Sequence, residues 1–173
     1  MRTISATELL GRPVGAVAER CRVGWVAEVI VDPNLGKAAG LLVRLDWLGW
    51  RDKVLDWRDL RDADKDGVVI ASAGVLLEVA EVVRVKELLN HDFNLLRLPV
   101  VTTDGTKLGW VSDFELVWET GDIVSLSVKS WCRRPPLLIK KSAIVRITLH
   151  EVVVRRAAAH QKRWQVAAVP SRA

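Results

Sequence analysis

The chain has 173 residues, of which 50% are hydrophobic and 27% charged, and its formal net charge is +5. An apolar fraction of one half excludes a disordered chain, and no uncharged stretch approaches the roughly 20 residues of a membrane-spanning helix. The N-terminus lacks an apolar core of signal-peptide length, and two cysteines are too few for a disulfide scaffold. These features predict a folded cytoplasmic protein.

The first half of the chain has the pattern of a series of short strands. Residues 25–32 are mostly β-branched and apolar, and an Asp-Pro-Asn-Leu-Gly turn joins them to a hairpin partner at residues 39–47. Two more strands are predicted at residues 54–57 and 67–72. Strands of this length and spacing are typical of small antiparallel barrels or sandwiches.

Residues 76–93 form the predicted linker between two β-rich regions. Glu78, Glu81 and Arg84 recur at every third position among leucines and valines, which predicts a short helix ending near Asn90. The many β-branched valines are also compatible with an irregular linker.

Short strands resume after this linker. Residues 108–118 and 123–130 form a predicted hairpin around an acidic turn that contains glycine. Strands at residues 137–140 and 152–154 complete the second region, which therefore has the same predicted make-up as the first.

The two regions are also similar in sequence. Four matched blocks occur in the same order, at an offset of 86 and then 85 residues: 9–14 with 95–100, 24–29 with 109–114, Gly36 with Gly121, and 41–43 with 126–128. The change of one residue in the offset is what a loop of different length produces. The sequence therefore predicts two copies of one unit.

The motifs of this unit follow one another in a recognisable order. They are Gly-x-Pro-Val, Gly-x-Val-x-Glu/Asp, the acidic turn with glycine and Gly/Ser-Leu-x-Val, followed by Val-Leu-x-Trp-x-Asp-Leu at residues 54–60 and Asp-Gly-Val-Val-Ile at residues 66–70. Over residues 4–155 the chain resembles the PRC-barrel family, which includes the cytoplasmic domain of the photosynthetic reaction-centre H subunit and the C-terminal domain of a ribosome maturation factor. The resemblance implies small, mostly antiparallel β-barrels with no shared catalytic residues, and it is a poor guide to function.

We therefore predict a mainly β fold of two tandem PRC-barrel-like units with a basic C-terminal tail. The first unit covers residues 1–75, the second covers residues 94–155, and the tail covers residues 156–173. Residues 155–173 contain five basic residues and no acid, so this segment accounts for the whole net charge and the rest of the chain sums to zero.

A cluster of tryptophans between two predicted strands supplies the candidate partner-binding residues, which are Trp47, Trp50, Arg51 and Trp57. Glycine and charged residues around them suggest a surface loop, and exposed tryptophans beside arginines are typical anchors of protein interfaces. The alternative is that these tryptophans close one end of a barrel or seal the contact between the two units.

Three further tryptophans occupy matched or corresponding positions. Strict strand alternation places Trp25 and Trp110 on the inward faces, opposite Glu28 and Asp113, which predicts a core role for both rings. Trp131 lies in the turn of the second unit that corresponds to the tryptophan-rich loop, so it is a further candidate for partner binding.

The tail supplies a second set of candidates, for binding nucleic acid or an acidic partner: Arg155, Arg156, Lys162, Arg163 and Trp164. The segment is rich in helix formers, and a basic helix with an aromatic residue can lie on phosphate. The alternative is a solubilising terminus.

No constellation of catalytic residues is recognisable. The three histidines share no metal-ligand spacing with each other or with the cysteines. Asp62, Asp64, Asp66 and Gly67 match the start of a calcium loop, but the position of its bidentate glutamate is Ala73. An acidic turn is the favoured interpretation, with cation binding left open, so we predict no cofactor, no metal site and no enzymatic activity.

Two functions are consistent with these features. The first is a non-enzymatic protein-binding or adaptor module, with a protein partner of unknown identity. The alternative is an RNA- or ribosome-associated assembly factor that uses the basic tail.

Overall fold

The computed structural model describes residues 2–45, 52–64, 66–131 and 133–156. Among these residues the fold is mainly β, with two seven-stranded curled sheets, two short α-helices and four turns of 3₁₀ helix. This confirms the predicted fold class. No described helix is both long and apolar enough to cross a membrane.

The first sheet has the strand order β6-β7-β2-β3-β4-β5-β8. Its strands are Pro13–Ala16 (β2), Cys21–Asp32 (β3), Lys37–Arg44 (β4), Asp52–Asp56 (β5), Leu60–Ala63 (β6), Val68–Ile70 (β7) and Leu77–Glu78 (β8). All neighbouring strands are antiparallel except β2 and β7, which are parallel.

The second sheet has the order β12-β11-β10-β9-β14-β13. Its strands are Pro99–Thr102 (β9), Lys107–Val117 (β10), Ile123–Ser130 (β11), Arg133–Lys140 (β12), Ile144–Ile147 (β13) and Val152–Val154 (β14). Its seventh strand, Thr3–Ser5 (β1), pairs with β10.

Six strands of each sheet are arranged in the same way. In both sheets the last of these six strands lies parallel to the first of them. The pairs are β7 with β2, where Val68 lies opposite Val14, and β14 with β9, where Val152 lies opposite Val100. The prediction of mostly antiparallel barrels does not identify this parallel pair, because local turn patterns identify hairpins but not the strand to which a later strand returns. The N-terminal strand also departs from the prediction, because β1 lies in the second sheet although residues 1–75 were assigned to the first unit.

Two α-helices accompany the sheets. The first, Ala6–Leu9 (α1), is capped by the hydroxyl of Ser5, which accepts a hydrogen bond from the N–H of Glu8 at 3.4 Å. The second, Val83–Asn90 (α2), lies in the predicted linker and ends where the sequence pattern indicated. Turns of 3₁₀ helix follow β5 and β12 at equivalent places, Trp57–Asp59 and Lys141–Ala143.

A β-bulge interrupts the long strand of each sheet at the same place. The register shifts between Val26 and Glu28 in β3, and between Val111 and Asp113 in β10. A bulge adds one residue to a strand and so exchanges the faces on which the following side chains lie. The core positions are therefore Val26 and Val29 in the first sheet, with Val111 and Phe114 in the second.

This geometry corrects the prediction for Trp25 and Trp110. Both side chains are half-buried rather than part of the core, because the residue that follows each of them, Val26 or Val111, points inward. The guanidinium of Arg22 stacks over the Trp25 ring at 4.2 Å from its centroid. The prediction fails because it applied strict alternation across a bulge that the sequence pattern does not reveal.

A continuous cluster of buried apolar side chains extends through both halves. Its largest fully buried members include Leu41, Leu55, Ile70, Phe114 and Leu116. Burial of such side chains contributes roughly 1.5–3 kcal/mol each, so this core is a major source of stability for both sheets.

Candidate interaction surfaces

The most exposed large apolar side chain of the described residues is that of Trp131, at 92%. It lies at the turn between β11 and β12, and its ring packs against that of Trp110 with 5.7 Å between the centroids. Trp110 in turn lies beside Pro99 on β9 and Lys129 on β11 in the strand register. We call Pro99, Trp110, Lys129 and Trp131 the tryptophan surface.

A close backbone approach supports the tryptophan surface. Gly109 precedes Trp110 at a φ of +140°, and a Cβ there would lie 1.9 Å from the carbonyl oxygen of Lys129. Only glycine lets β10 and β11 approach this closely. The equivalent residue of the first sheet, Gly24, has the same relation to Arg44, at 2.5 Å.

The chain around this surface is strongly basic. Residues 123–150 contain six Lys and Arg residues and no Asp or Glu. Exposed prolines at positions 135 and 136 lie on the neighbouring strand β12. The surface therefore combines an exposed aromatic ring, proline and positive charge, although residues 1–154 as a whole sum to zero charge.

Trp57 lies elsewhere, at the contact between the two sheets. Its side chain is only 6% exposed, and its Nε1–H donates a hydrogen bond to the carbonyl oxygen of Trp118 at 2.9 Å. The two rings meet edge to face at 5.9 Å. The structure thus corrects the assignment of Trp57 to partner binding in favour of the alternative, a seal between the two units. Trp47, Trp50 and Arg51 lie outside the described residues.

Arg2 fastens the N-terminus to both halves. Its guanidinium forms an ion pair with Asp62 at 2.7 Å and donates to the carbonyl oxygen of Ala63 in the first sheet. The same group lies 5.3 Å from the ring centroid of Trp118, and the backbone N–H of Trp118 donates to the carbonyl oxygen of Arg2 at 2.9 Å. Sequence reasoning missed this contact, because nothing in the local pattern relates residues 2, 62 and 118.

The carboxylates of Asp62 and Asp64, at the end of β6 and in the turn that follows, form hydrogen bonds within the protein. Asp62 is paired with Arg2, which lowers the pKa of its carboxyl. Asp64 accepts from the N–H groups of Asp66 and Gly67 at 2.8 and 3.1 Å, and the chain continues into strand β7. Among the described residues, no group of three or more His, Cys, Asp and Glu side chains is arranged to hold a metal ion.

Only two of the candidate tail residues are described. The N–H of Arg155 donates to the carbonyl oxygen of Ala143 at 2.9 Å, and the guanidinium of Arg156 lies 3.5 Å from a carboxylate oxygen of Asp104. Lys162, Arg163 and Trp164 lie outside the described residues.

An open cleft of about 500 Å³ lies where α2 meets both halves. Arg84 lines it, but its guanidinium binds Asp32 at 2.9 and 3.0 Å and also contacts Glu87. These hydrogen bonds lower the pKa of Asp32 against the opposing effect of its burial. The Arg84 guanidinium is therefore already paired with carboxylates. Its position is explained by the packing of α2 against the turn after β3.

The fold and these surfaces define a class of protein, a mainly β domain whose closing strand lies parallel to its opening strand and which exposes one tryptophan, Trp131, at a turn. Residues 90–155, from the end of α2 to just past β14, match the family model of the PRC-barrel domain. The similarity to the PRC-barrel domain therefore covers residues 90–155, which include all of β9 to β14. No curated protein matches the chain.

Proposed function

We propose that this chain is a non-enzymatic adaptor that binds an acidic, partly apolar segment of a protein partner on the tryptophan surface. The observation that carries the proposal is the exposure of Trp131 on a ring platform formed by Trp110. A tryptophan in such a position exposes a large apolar area to water, and tryptophan is enriched at the centres of protein interfaces.

The charge around the surface supports the proposed chemistry of the partner. Lys129 is exposed beside Trp110, and Arg133 and Arg134 follow Trp131 within three residues with no acid between them, so the chain around Trp131 is basic. Complementary charge speeds association and disfavours partners of like charge. An acidic segment with an apolar anchor is therefore the partner that fits this surface best.

RNA binding is the second candidate, favoured by the continuation of this basic region into Arg155 and Arg156. Stacking of bases on aromatic rings and contacts of phosphates with basic side chains are the usual means of binding single strands. We rank it second because Trp110 is half-buried and Trp131 is the exposed ring of the pair, so the surface offers one stacking ring where single-strand binding usually combines several.

Affinity capture from native lysate tests the proposal, with wild-type protein, Trp131→Ala and Val17→Ala as baits. Val17 is also an exposed apolar residue, at 62%, but lies far along the chain, after β2, so it controls for the loss of any surface side chain. We expect one acidic protein to be captured by wild type and Val17→Ala and lost with Trp131→Ala, without sensitivity to nuclease. Equal capture by all three baits contradicts the proposal, and capture that nuclease abolishes supports RNA binding instead.

A further inference from the structure

The two halves meet through the tips of equivalent hairpins. The N–H of Ala38 donates to the carbonyl oxygen of Gly121 at 2.8 Å, and the N–H of Ile123 donates to the carbonyl oxygen of Gly36 at 3.2 Å. Ala38 and Ile123 are 85 residues apart, as are Gly36 and Gly121. A rotation that exchanges the two halves therefore turns each of these hydrogen bonds into the other, which is the relation that a twofold axis produces.

The glycines make this contact possible. Gly36 and Gly121 have φ values of +61° and +70°, in the left-handed region that glycine adopts without strain. Gly121 is also packed closely, since a Cβ there would lie 3.0 Å from the carbonyl oxygen of Ala38 and 3.2 Å from the Trp57 ring. The same turn geometry in both halves thus presents matching backbone groups.

Lys37 and Asp122 lie at the centre of this arrangement. They occupy equivalent positions, form an isolated antiparallel β-bridge and are joined by an ion pair of 3.6 Å. A contact in which the same patch is used on both sides is isologous, the type of contact that joins the subunits of a twofold dimer. Here it joins two halves of one chain.

We propose that these hairpin tips, residues 36–38 and 121–123, form a docking surface through which one unit of this fold recognises a second unit without needing the linker. The charges of Lys37 and Asp122 determine which units can pair. Two first units would bring Lys37 against Lys37, and two second units would bring Asp122 against Asp122, whereas the mixed pair places opposite charges together. Like charges in contact disfavour the wrong pairing, so the surface joins the first unit to the second unit of the same chain.

Other contacts between the halves are consistent with association that survives cutting of the linker. Strand β1 is part of the first half by sequence but pairs with β10, with Thr3 opposite Val117 and Ser5 opposite Glu115. The Trp57 hydrogen bond to Trp118 crosses the same boundary. None of these contacts involves residues 79–81 between β8 and α2.

The test cuts the linker of the folded full-length chain. A site for a sequence-specific protease is inserted between Ala80 and Glu81, which are both exposed, and the cut protein is examined by analytical ultracentrifugation over a dilution series. We expect the two fragments to sediment together at the mass of the uncut insertion variant, which is the control. Separate fragments, or precipitation after cutting, would overturn the proposal.

A charge exchange tests the selectivity of the surface in the same cut protein. Lys37→Asp places a second carboxylate against Asp122, and we expect it to weaken association about tenfold. Adding Asp122→Lys should restore part of that loss, the recovery being partial because Lys141 also lies 2.8 Å from the Asp122 carboxylate. If Lys37→Asp leaves association unchanged, or the double variant is weaker than the single one, the charges at the axis do not select the partner and the proposal fails.

Discussion

Positions 28 and 113 are equivalent in the two halves, yet their carboxylates have different surroundings. Asp113 accepts hydrogen bonds from the hydroxyl of Ser5 at 2.6 Å and from the N–H of Thr7 at 3.1 Å. Burial raises the pKa of the Glu28 carboxyl above its usual value. Asp113 therefore fixes the N-terminal segment to the second sheet, whereas ionisation of Glu28 opposes folding because burial penalises its charged form.

The indole N–H of Trp57 should contribute measurably to stability. Trp57→Phe keeps a ring at the contact but leaves the carbonyl oxygen of Trp118 without its 2.9 Å hydrogen bond, so we expect the free energy of unfolding to fall by about 1–2 kcal/mol. Urea denaturation measures it. Trp131→Phe is the control, with an expected change within about 0.5 kcal/mol because its side chain is exposed. Equal effects of the two variants would contradict the assigned role of Trp57.

Asp122 should make stability fall in acid. Hydrogen bonds from Lys141 and Thr120, at 2.8 and 2.6 Å, lower the pKa of its carboxyl to about 2. Because the folded pKa lies below that of the unfolded chain, the contribution is present above about pH 4 and is lost as the pH falls toward 2. Asp122→Asn should therefore lower the free energy of unfolding at pH 7 by on the order of 1 kcal/mol, solvent screening included. The difference between wild type and variant should shrink in urea titrations at pH 2; a difference of constant size would refute this assignment.

At the scale of elements, local sequence patterns predict which strands exist better than they predict the strand faces. The strand at Ile123–Ser130 has the predicted bounds, because turn residues mark both of its ends. Strand β12 begins at Arg133 rather than at residue 137, since an edge strand tolerates prolines that a sequence reading treats as breaks. The faces of β3 and β10 depend on the bulges, which arise from pairing between strands and leave no local signal.

The candidate sites also combine features that the local sequence predicts with features that depend on contacts between the two halves. The exposure of Trp131 agrees with its place in a turn, which the sequence indicates. The burial of Trp57 does not follow from its neighbours in the chain, because the groups that cover it come from the other half, 61 residues away. A composition rich in tryptophan thus identifies candidate interfaces without separating internal contacts from external ones.

The close approach of β10 and β11 predicts a large cost for a small substitution. Gly109→Ala would place a Cβ 1.9 Å from the carbonyl oxygen of Lys129, so the strands must separate next to Trp110, and we expect a loss of about 3 kcal/mol or more. Gly105→Ala is the matched control: its φ of +84° is also strained, but its Cβ would meet nothing within 4 Å, so about 1–2 kcal/mol is expected. Thermal unfolding measures both. Equal losses would show that backbone strain, rather than collision, governs position 109.

At the scale of the whole molecule, the net positive charge lies in the second half of the chain. The net charge of the chain outside residues 155–173 is zero, but residues 123–150 carry six basic residues and no acid. Three of these six, Lys129, Arg133 and Arg134, lie within three residues of Trp131, whereas Lys141 is paired with Asp122. An acidic partner attracted to these three bases would meet Trp131 beside them, which connects the electrostatic and aromatic features of the turn.

The N-terminal strand should make the two sheets unfold as one. Residues 2–7 leave the first half, pair with β10 and bind Asp113, while Arg2 holds Asp62 of the first sheet. In the full chain we expect a single calorimetric transition, whose calorimetric and van't Hoff enthalpies agree.

Deleting residues 1–5 removes β1 and the Arg2 contacts but leaves six strands in the second sheet, so the deletion variant should unfold in two separate steps. Arg2→Ala, which keeps the strand, should retain one transition at a lower midpoint. If the deletion variant also unfolds in a single transition with agreeing enthalpies, the hairpin tips and the shared core are sufficient to couple the sheets, and β1 does not have this role.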